Sequence, residues 1–136
     1  FLLVGLTGCN FFARKDVVDG AEAFKNRKFD EAERLFRRAV SRAPEDSIEG
    51  KTARLFLART LHSKFASNRT QKELAEQAIE EYKKVLQKDP KDNSSFKAVA
   101  NLLENLDKKD EWRQWLTERS ENTSIPPEQR AEAYTS

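Results

Sequence analysis

Two side-chain types central to nucleophilic and metal chemistry occur once each: Cys9 is the one cysteine of this chain and His62 its one histidine. A single thiol cannot close an intramolecular disulfide, and without clustered Cys or His it cannot build a zinc site. As a catalytic nucleophile Cys9 would need a base, and no recognised nucleophile motif surrounds it. The sequence has no Gly-rich phosphate loop. Carboxylate neighbours such as Glu80 and Glu81 are adjacent, so on a helix they diverge rather than share a proton. Asn68-Arg69-Thr70 and Asn93-Ser94-Ser95 match the glycosylation acceptor pattern and read as chance matches. The expectation is no catalytic, metal or cofactor site, no small-molecule substrate, and no enzyme.

The surroundings of Cys9 suggest another use for the thiol. Leu6-Thr7-Gly8-Cys9 follows the apolar run Phe1-Leu2-Leu3-Val4-Gly5. This resembles the end of a bacterial lipoprotein signal peptide: an apolar stretch, two small residues, then the cysteine. The resemblance implies a diacylglyceryl group on the Cys9 sulfur, cleavage before Cys9 and acylation of the new amino terminus. One acyl chain anchors a protein only marginally, whereas several on one residue hold it to a bilayer almost permanently. Asn10 is the residue whose type, in the enterobacterial pattern, directs a lipoprotein to the outer membrane. The competing reading is a buried first helix with Cys9 as a small core residue.

Composition gives the elements that surround these residues. Charged residues make up 35% of the chain and hydrophobic ones 38%, with four Gly and four Pro, a composition rich in helix formers. Alternating Val/Ile/Thr runs separated by Asn-Gly or Asp-Gly turns are missing, so the predicted fold is all-α. The net charge of +2 is a small difference between 25 basic and 23 acidic residues mixed along the chain. A nucleic-acid surface needs a basic stripe. The one short candidate, Arg34, Arg37, Arg38 and Arg42, is interleaved with Glu31, Glu33 and Glu45 and reads as a solvated helix face.

Internal periodicity begins at Asp16. In "DVVDGAEAFKNRKFDEAERLFRRAVSRAPED" Gly20 is followed by Ala32, Phe36, Ala39 and Pro44. Small residues permit close helix approach, and the proline cannot continue the helix. In "AEQAIEEYKKVLQKDPKD" the spacing recurs as Ala78, Tyr82, Val85 and Pro90. These residues resemble the tetratricopeptide repeat, with a small residue midway along a first helix, A-x3-F-x2-A on a second, and a proline after it. Asp16 and Asp19 stand where the family has Trp and Leu, which fits an end repeat facing solvent. The second copy exceeds the family unit of about 34 residues. Its first helix, "SIEGKTARLFLARTLHSKF", offers Leu57, Ala58 and Leu61 for packing. A loop follows around Ser67–Arg69, and Thr70-x-x-Glu73 reads as a capping box. A third first-helix shows Phe96, Val99, Ala100, Leu103 and Leu106 on one face. Its partner, "DEWRQWLTERS", carries Trp112, Trp115 and Leu116 but no small residue. Pro126 and Pro127 suit the first turn of one more helix.

The expected organisation is therefore residues 1–8 as the end of a signal peptide, 9–15 as a lipidated terminus and short linker, and 16–120 as about three helix pairs. Residues 121–136 start a further helix of a chain expected to continue. By resemblance, the pairs stack into a right-handed superhelix, an α-solenoid, whose first helices line a concave face that binds proteins or peptides. Mapping that face gives Ala21 and Lys25, then Arg59 and His62, then Lys97 and Asn101. Arg59, His62, Lys97 and Asn101 are the candidate partner-binding residues; the alternative is that they are merely solvated. The expected function is a non-enzymatic scaffold tethered through Cys9 to a bacterial envelope membrane. The outer membrane, on its periplasmic side, is the expected location. The other reading is a regulatory or targeting domain of a larger envelope enzyme or transport component.

Overall fold

The computed structural model describes residues 2–133, with side chains from Phe11 onward. Seven helices follow one another: α1 (Leu2–Lys25), α2 (Phe29–Arg42), α3 (Ile48–Ser67), α4 (Lys72–Lys88), α5 (Asn93–Asn105), α6 (Lys109–Glu121) and α7 (Pro127–Glu132). Among the described residues there is no strand. The helix-rich composition and the missing strand signals produce an all-helical chain, as expected. The helix starting at Leu2 runs without a break through 9–15, the stretch read as a linker. The chain divides into two compact units within α4, between Glu81 and Tyr82.

In the first unit α1 packs on α2 and α3, and α2 packs on α3. The close approach of α1 and α2 depends on Gly20, because a methyl group added there would lie 2.7 Å from Phe36 Cε1. Ala32, Phe36 and Ala39 are fully buried. The Phe36 ring stacks on Phe56 of α3, with centroids 5.3 Å apart and planes 19° apart. Phe36 thus bridges α1, α2 and α3. Ser47 starts α3 by accepting a hydrogen bond from Gly50 N at 3.0 Å. A side chain at Gly50 would meet the Pro44 carbonyl at 2.5 Å, so both flanks of this turn are set by residue type.

Two hairpins close by the same device. After α1, Lys28 N donates to Ala23 O and Arg27 N to Phe24 O. After α5, Lys108 N donates to Leu103 O and Asp107 N to Glu104 O. Both are Schellman endings, and each puts a non-glycine residue in the left-handed region, Arg27 at φ 60° and Asp107 at φ 58°. A lysine and then an x-Asp-Glu sequence follow in each case: Asp30-Glu31 in the first turn of α2, Asp110-Glu111 in that of α6. These carboxylates complement the positive end of the helix dipole.

In the second unit α5 packs on α6, and α6 on α7. Phe96, Val99, Ala100 and Leu103 are buried as predicted, joined by Leu102, while Leu106 ends the helix half-exposed. Pro127 opens α7 with Pro126 at its N-cap position.

Two expectations need correction, on Thr70 and on Asp16. Thr70 does not cap α4, because its hydroxyl donates to Asn68 Oδ1 at 2.6 Å and the helix begins at Lys72. Trp115 is half-buried; its ring stacks on Phe96 and its Nε1 donates to Phe96 O at 3.1 Å, which holds it at the edge of the core. Asp16 does not face solvent. It is 2% exposed and accepts from Arg38 at 2.7 and 3.0 Å and from Arg42 at 3.3 Å.

Candidate functional site

Arg59 and His62 lie on α3 in the first unit, both half-buried. The Arg59 guanidinium sits over the Phe56 ring, 5.6 Å from its centroid. Phe56 in turn meets Phe24 of α1 edge-on at 6.3 Å, and Phe24 meets Phe29 at 5.5 Å. Arg27 lies over Phe29 at 5.4 Å. A row of three half-exposed phenylalanines thus runs from the buried Phe36 to the surface, with a guanidinium at each end. Val17 and Ala21, about two turns and one turn before Phe24 on α1, are also half-exposed. Aromatic surface flanked by arginine is the composition that protein interfaces concentrate at their centres, and ring faces hold guanidinium ions at modest cost.

The sequence reading identified Arg59 on this surface but not its aromatic neighbours. Phe24 follows Gly20 by one turn, and Phe56 precedes Leu57. The signal was available as helical spacing, but an aromatic at such spacing reads first as core.

Lys97 and Asn101 lie one turn apart on α5 in the second unit, both exposed. Lys97 Nζ is 3.4 Å from Glu132 Oε2. Asn101 Oδ1 accepts from Asn105 Nδ2 at 3.0 Å. Each pair of predicted residues therefore shares a helix face within its own unit. The side chains of Leu6, Thr7, Gly8 and Cys9 lie outside the described residues.

The basic run on α2 is largely paired with carboxylates. Arg37 binds Glu33 at 2.9 Å and donates to Gln77 Oε1 at 3.1 Å. Arg38 and Arg42 clasp Asp16. Lys64 of α3 reaches Asp30 at 2.7 Å and Glu33 at 2.9 Å, and Arg54 reaches Glu81 at 2.7 Å. These pairs tie α1, α2, α3 and the start of α4 together, and they take up the charge that a phosphate backbone would need. So the α2 run is more than the solvated face predicted for it.

Two of these arrangements set a pH dependence. Burial raises the Glu33 carboxyl, but hydrogen bonds from Lys64 and Arg37 outweigh it and hold the pKa below its ordinary value. In the second unit burial also raises Asp92, and the Ser95 and Ser94 hydroxyls and amides outweigh it, again leaving the pKa lowered. A folded-state pKa below the unfolded one contributes stability above the unfolded pKa, and loses it as pH falls through the folded one. Thermal stability is therefore expected to hold between about pH 7 and pH 5 and to fall below about pH 4. Glu33→Gln and Asp92→Asn should each lower the pH 7 midpoint and flatten the acid limb. Melts from pH 7 to pH 3 check this, and an unchanged acid slope in both variants would contradict it.

Among the described residues no group of His, Cys, Asp and Glu could hold a metal ion, and no helix is long and apolar enough to cross a membrane. The second unit has a cleft of about 170 Å³ lined by Leu86, Phe96, Trp115 and Arg119 among others. Arg119 is 7% exposed, and its two terminal nitrogens donate to the α4–α5 loop, to Asn93 and to Gln129. No family model matches the chain, and no curated protein or solved structure matches it.

Proposed function

We propose that this chain is a non-enzymatic, tetratricopeptide-like scaffold, anchored to a bacterial envelope membrane by acyl chains on Cys9. The outer membrane, on its periplasmic side, is the location proposed. It binds a protein or peptide partner through the α1–α3 surface bearing Phe24, Phe56 and Arg59. Nucleic acid and small molecules are not its ligands. Lys97 and Asn101 remain candidates for the corresponding face of the second unit. The observation that carries the reading is the half-exposed phenylalanine row with a guanidinium at each end. Support for the repeat comes from the recurrent A-x3-F/Y spacing, the contact of α1 with both α2 and α3, and the shared Schellman endings after α1 and α5. Stacked pairs of this kind would form a right-handed α-solenoid.

Two measurements test the proposal. The N-terminal peptide of the protein made in a bacterium should carry acyl mass on Cys9, and Cys9→Ala should release the chain from the membrane with its helicity intact. A photo-crosslinker at His62 should give a discrete adduct in cells, one absent from the exposed position Glu76. Phe56→Ser with Arg59→Glu should remove that adduct without lowering helicity; charge reversal acts mainly on association rate and salt dependence. An unacylated, soluble chain would remove the anchor from the proposal, and an adduct indifferent to the double substitution would remove the face.

A further inference from the structure

Four large apolar side chains of the described residues stand out into solvent, and three of them lie at one end of the first unit. Phe11 is 64% exposed, Phe12 53% and Ile48 80%. The middle of α1, the end of α2 and the start of α3 meet there. The Arg42 guanidinium lies 5.8 Å from the Phe12 ring centroid, and Arg14 Nη2 donates to Glu49 Oε1 at 2.9 Å. Phe11 and Phe12 support each other edge-on at 5.7 Å. The fourth, Val18, is 62% exposed and follows Phe11 by two turns, about 10 Å along the helix axis.

We propose that this end of the first unit is a lipid-facing surface, in which Phe11, Phe12 and Ile48 enter the headgroup region of the bilayer. The inference rests on the anchoring of Cys9 and adds an orientation to it. Phe12 follows Cys9 by three residues of one unbroken helix, about 4.5 Å of axial rise. Acyl chains on Cys9 would therefore place these rings at the acyl–headgroup boundary, where aromatic side chains partition.

The charges at this end favour a membrane over an acidic partner. Arg14 is paired with Glu49, Lys15 with Asp19, and Arg38 and Arg42 with Asp16. These four cations meet three carboxylates, so little net charge is left around the apolar tips to select a polyanion. The tips also protrude from two separate helices, a shape that a fluid surface accommodates more readily than a rigid one. Contact of this kind is apolar, so it should be nearly insensitive to salt.

The test uses the fact that Cys9 is the only native thiol. The chain is purified from bacterial envelopes and reconstituted into phosphatidylethanolamine–phosphatidylglycerol vesicles. Ile48→Cys, or Val18→Cys as control, supplies one free thiol for a nitroxide. At position 48 the nitroxide should be severalfold more accessible to oxygen than to a water-soluble nickel chelate, relative to position 18. Phe11→Ser with Phe12→Ser should abolish that difference while the acylated chain stays with the vesicles. Equal, water-like accessibility at positions 48 and 18 would overturn the inference. Dipolar broadening at low protein-to-lipid ratio would overturn it too, since a second copy would then cover the tips. If Cys9 of the unsubstituted chain takes up label, the anchor itself fails. The same measurement on Cys9→Ser chain mixed with vesicles then decides whether the surface meets lipid on its own, and a label that stays aqueous, or a chain that stays unbound, overturns it.

Discussion

Arg119→Ala is expected to destabilise the second unit by about 2–4 kcal/mol, the largest loss from any single surface-type residue of the chain. The guanidinium lies against the Phe96 ring, 4.6 Å from its centroid. Its Nη1 donates to Pro90 O at 2.7 Å, and its Nη2 to Asn93 Oδ1 at 3.3 Å and Gln129 Oε1 at 3.2 Å. One side chain thus ties the α4–α5 loop, the start of α5, α6 and α7. Burial lowers its pKa, opposed by the charges of Asp92 and Glu132, so the cation is held chiefly by neutral acceptors and the ring face. Arg119→Met keeps the apolar stem and removes the buried charge. The acceptors it strands belong to residues with access to water, so it should cost half as much or less. Arg119→Lys should behave more like the alanine variant, because an ammonium cannot present a flat fork to three acceptors while stacking on a ring. Both tryptophans, Trp112 and Trp115, lie on α6, so tryptophan fluorescence during denaturation reads this unit selectively. Methionine and lysine variants both as stable as the parent, with only the alanine variant lowered, would mean that Arg119 contributes only its stem.

This residue also shows what the sequence conceals. Patterning places arginine on the solvent side of a helix, and α6 lacks the small residue that elsewhere marks the contact face. Its packing face was therefore read from Trp112, Trp115 and Leu116, all of which are only half-buried, while the buried position is Arg119. Asp16 escapes for the same reason. A carboxylate at a position where an apolar residue is expected reads as a solvated end, and only the fold brings Arg38 and Arg42 of the next helix to it. Where side-chain size alone decides the packing, the sequence reading was accurate. Gly20 and Phe36 mark the α1–α2 contact, Ala32 and Ala39 are buried on α2, Phe96, Val99, Ala100 and Leu103 form the inner face of α5, and Pro126 and Pro127 mark the start of α7. The candidate site divides the same way. Arg59 and His62 followed from repeat register, whereas Phe24, Phe29 and Phe56 join them through contacts between helices far apart in sequence.

Gly20→Ala is the second substitution with a large expected effect, and its sign tests the packing directly. In an exposed helix interior, replacing glycine by alanine stabilises by about 1 kcal/mol through backbone entropy and propensity. Here the added carbon falls 2.7 Å from Phe36 Cε1 and 3.0 Å from Cδ1 and Cζ. The ring has nowhere to retreat, because Phe36 is fully buried and stacked on Phe56. Either α1 and α2 must separate or the phenylalanine row must shift, at a cost of about 1–3 kcal/mol that outweighs the propensity gain. Leucine at position 36 would make room, so Gly20→Ala should be less damaging in a Phe36→Leu background, with a coupling energy of about 1–2 kcal/mol in the double-mutant cycle. A displaced Phe36 would also disturb the Phe56 ring that carries Arg59, so Gly20→Ala should weaken crosslinking from His62 even under conditions where the chain remains folded. A variant as stable as the parent, or more stable, would mean that the two helices stand further apart than the Gly20–Phe36 contact requires.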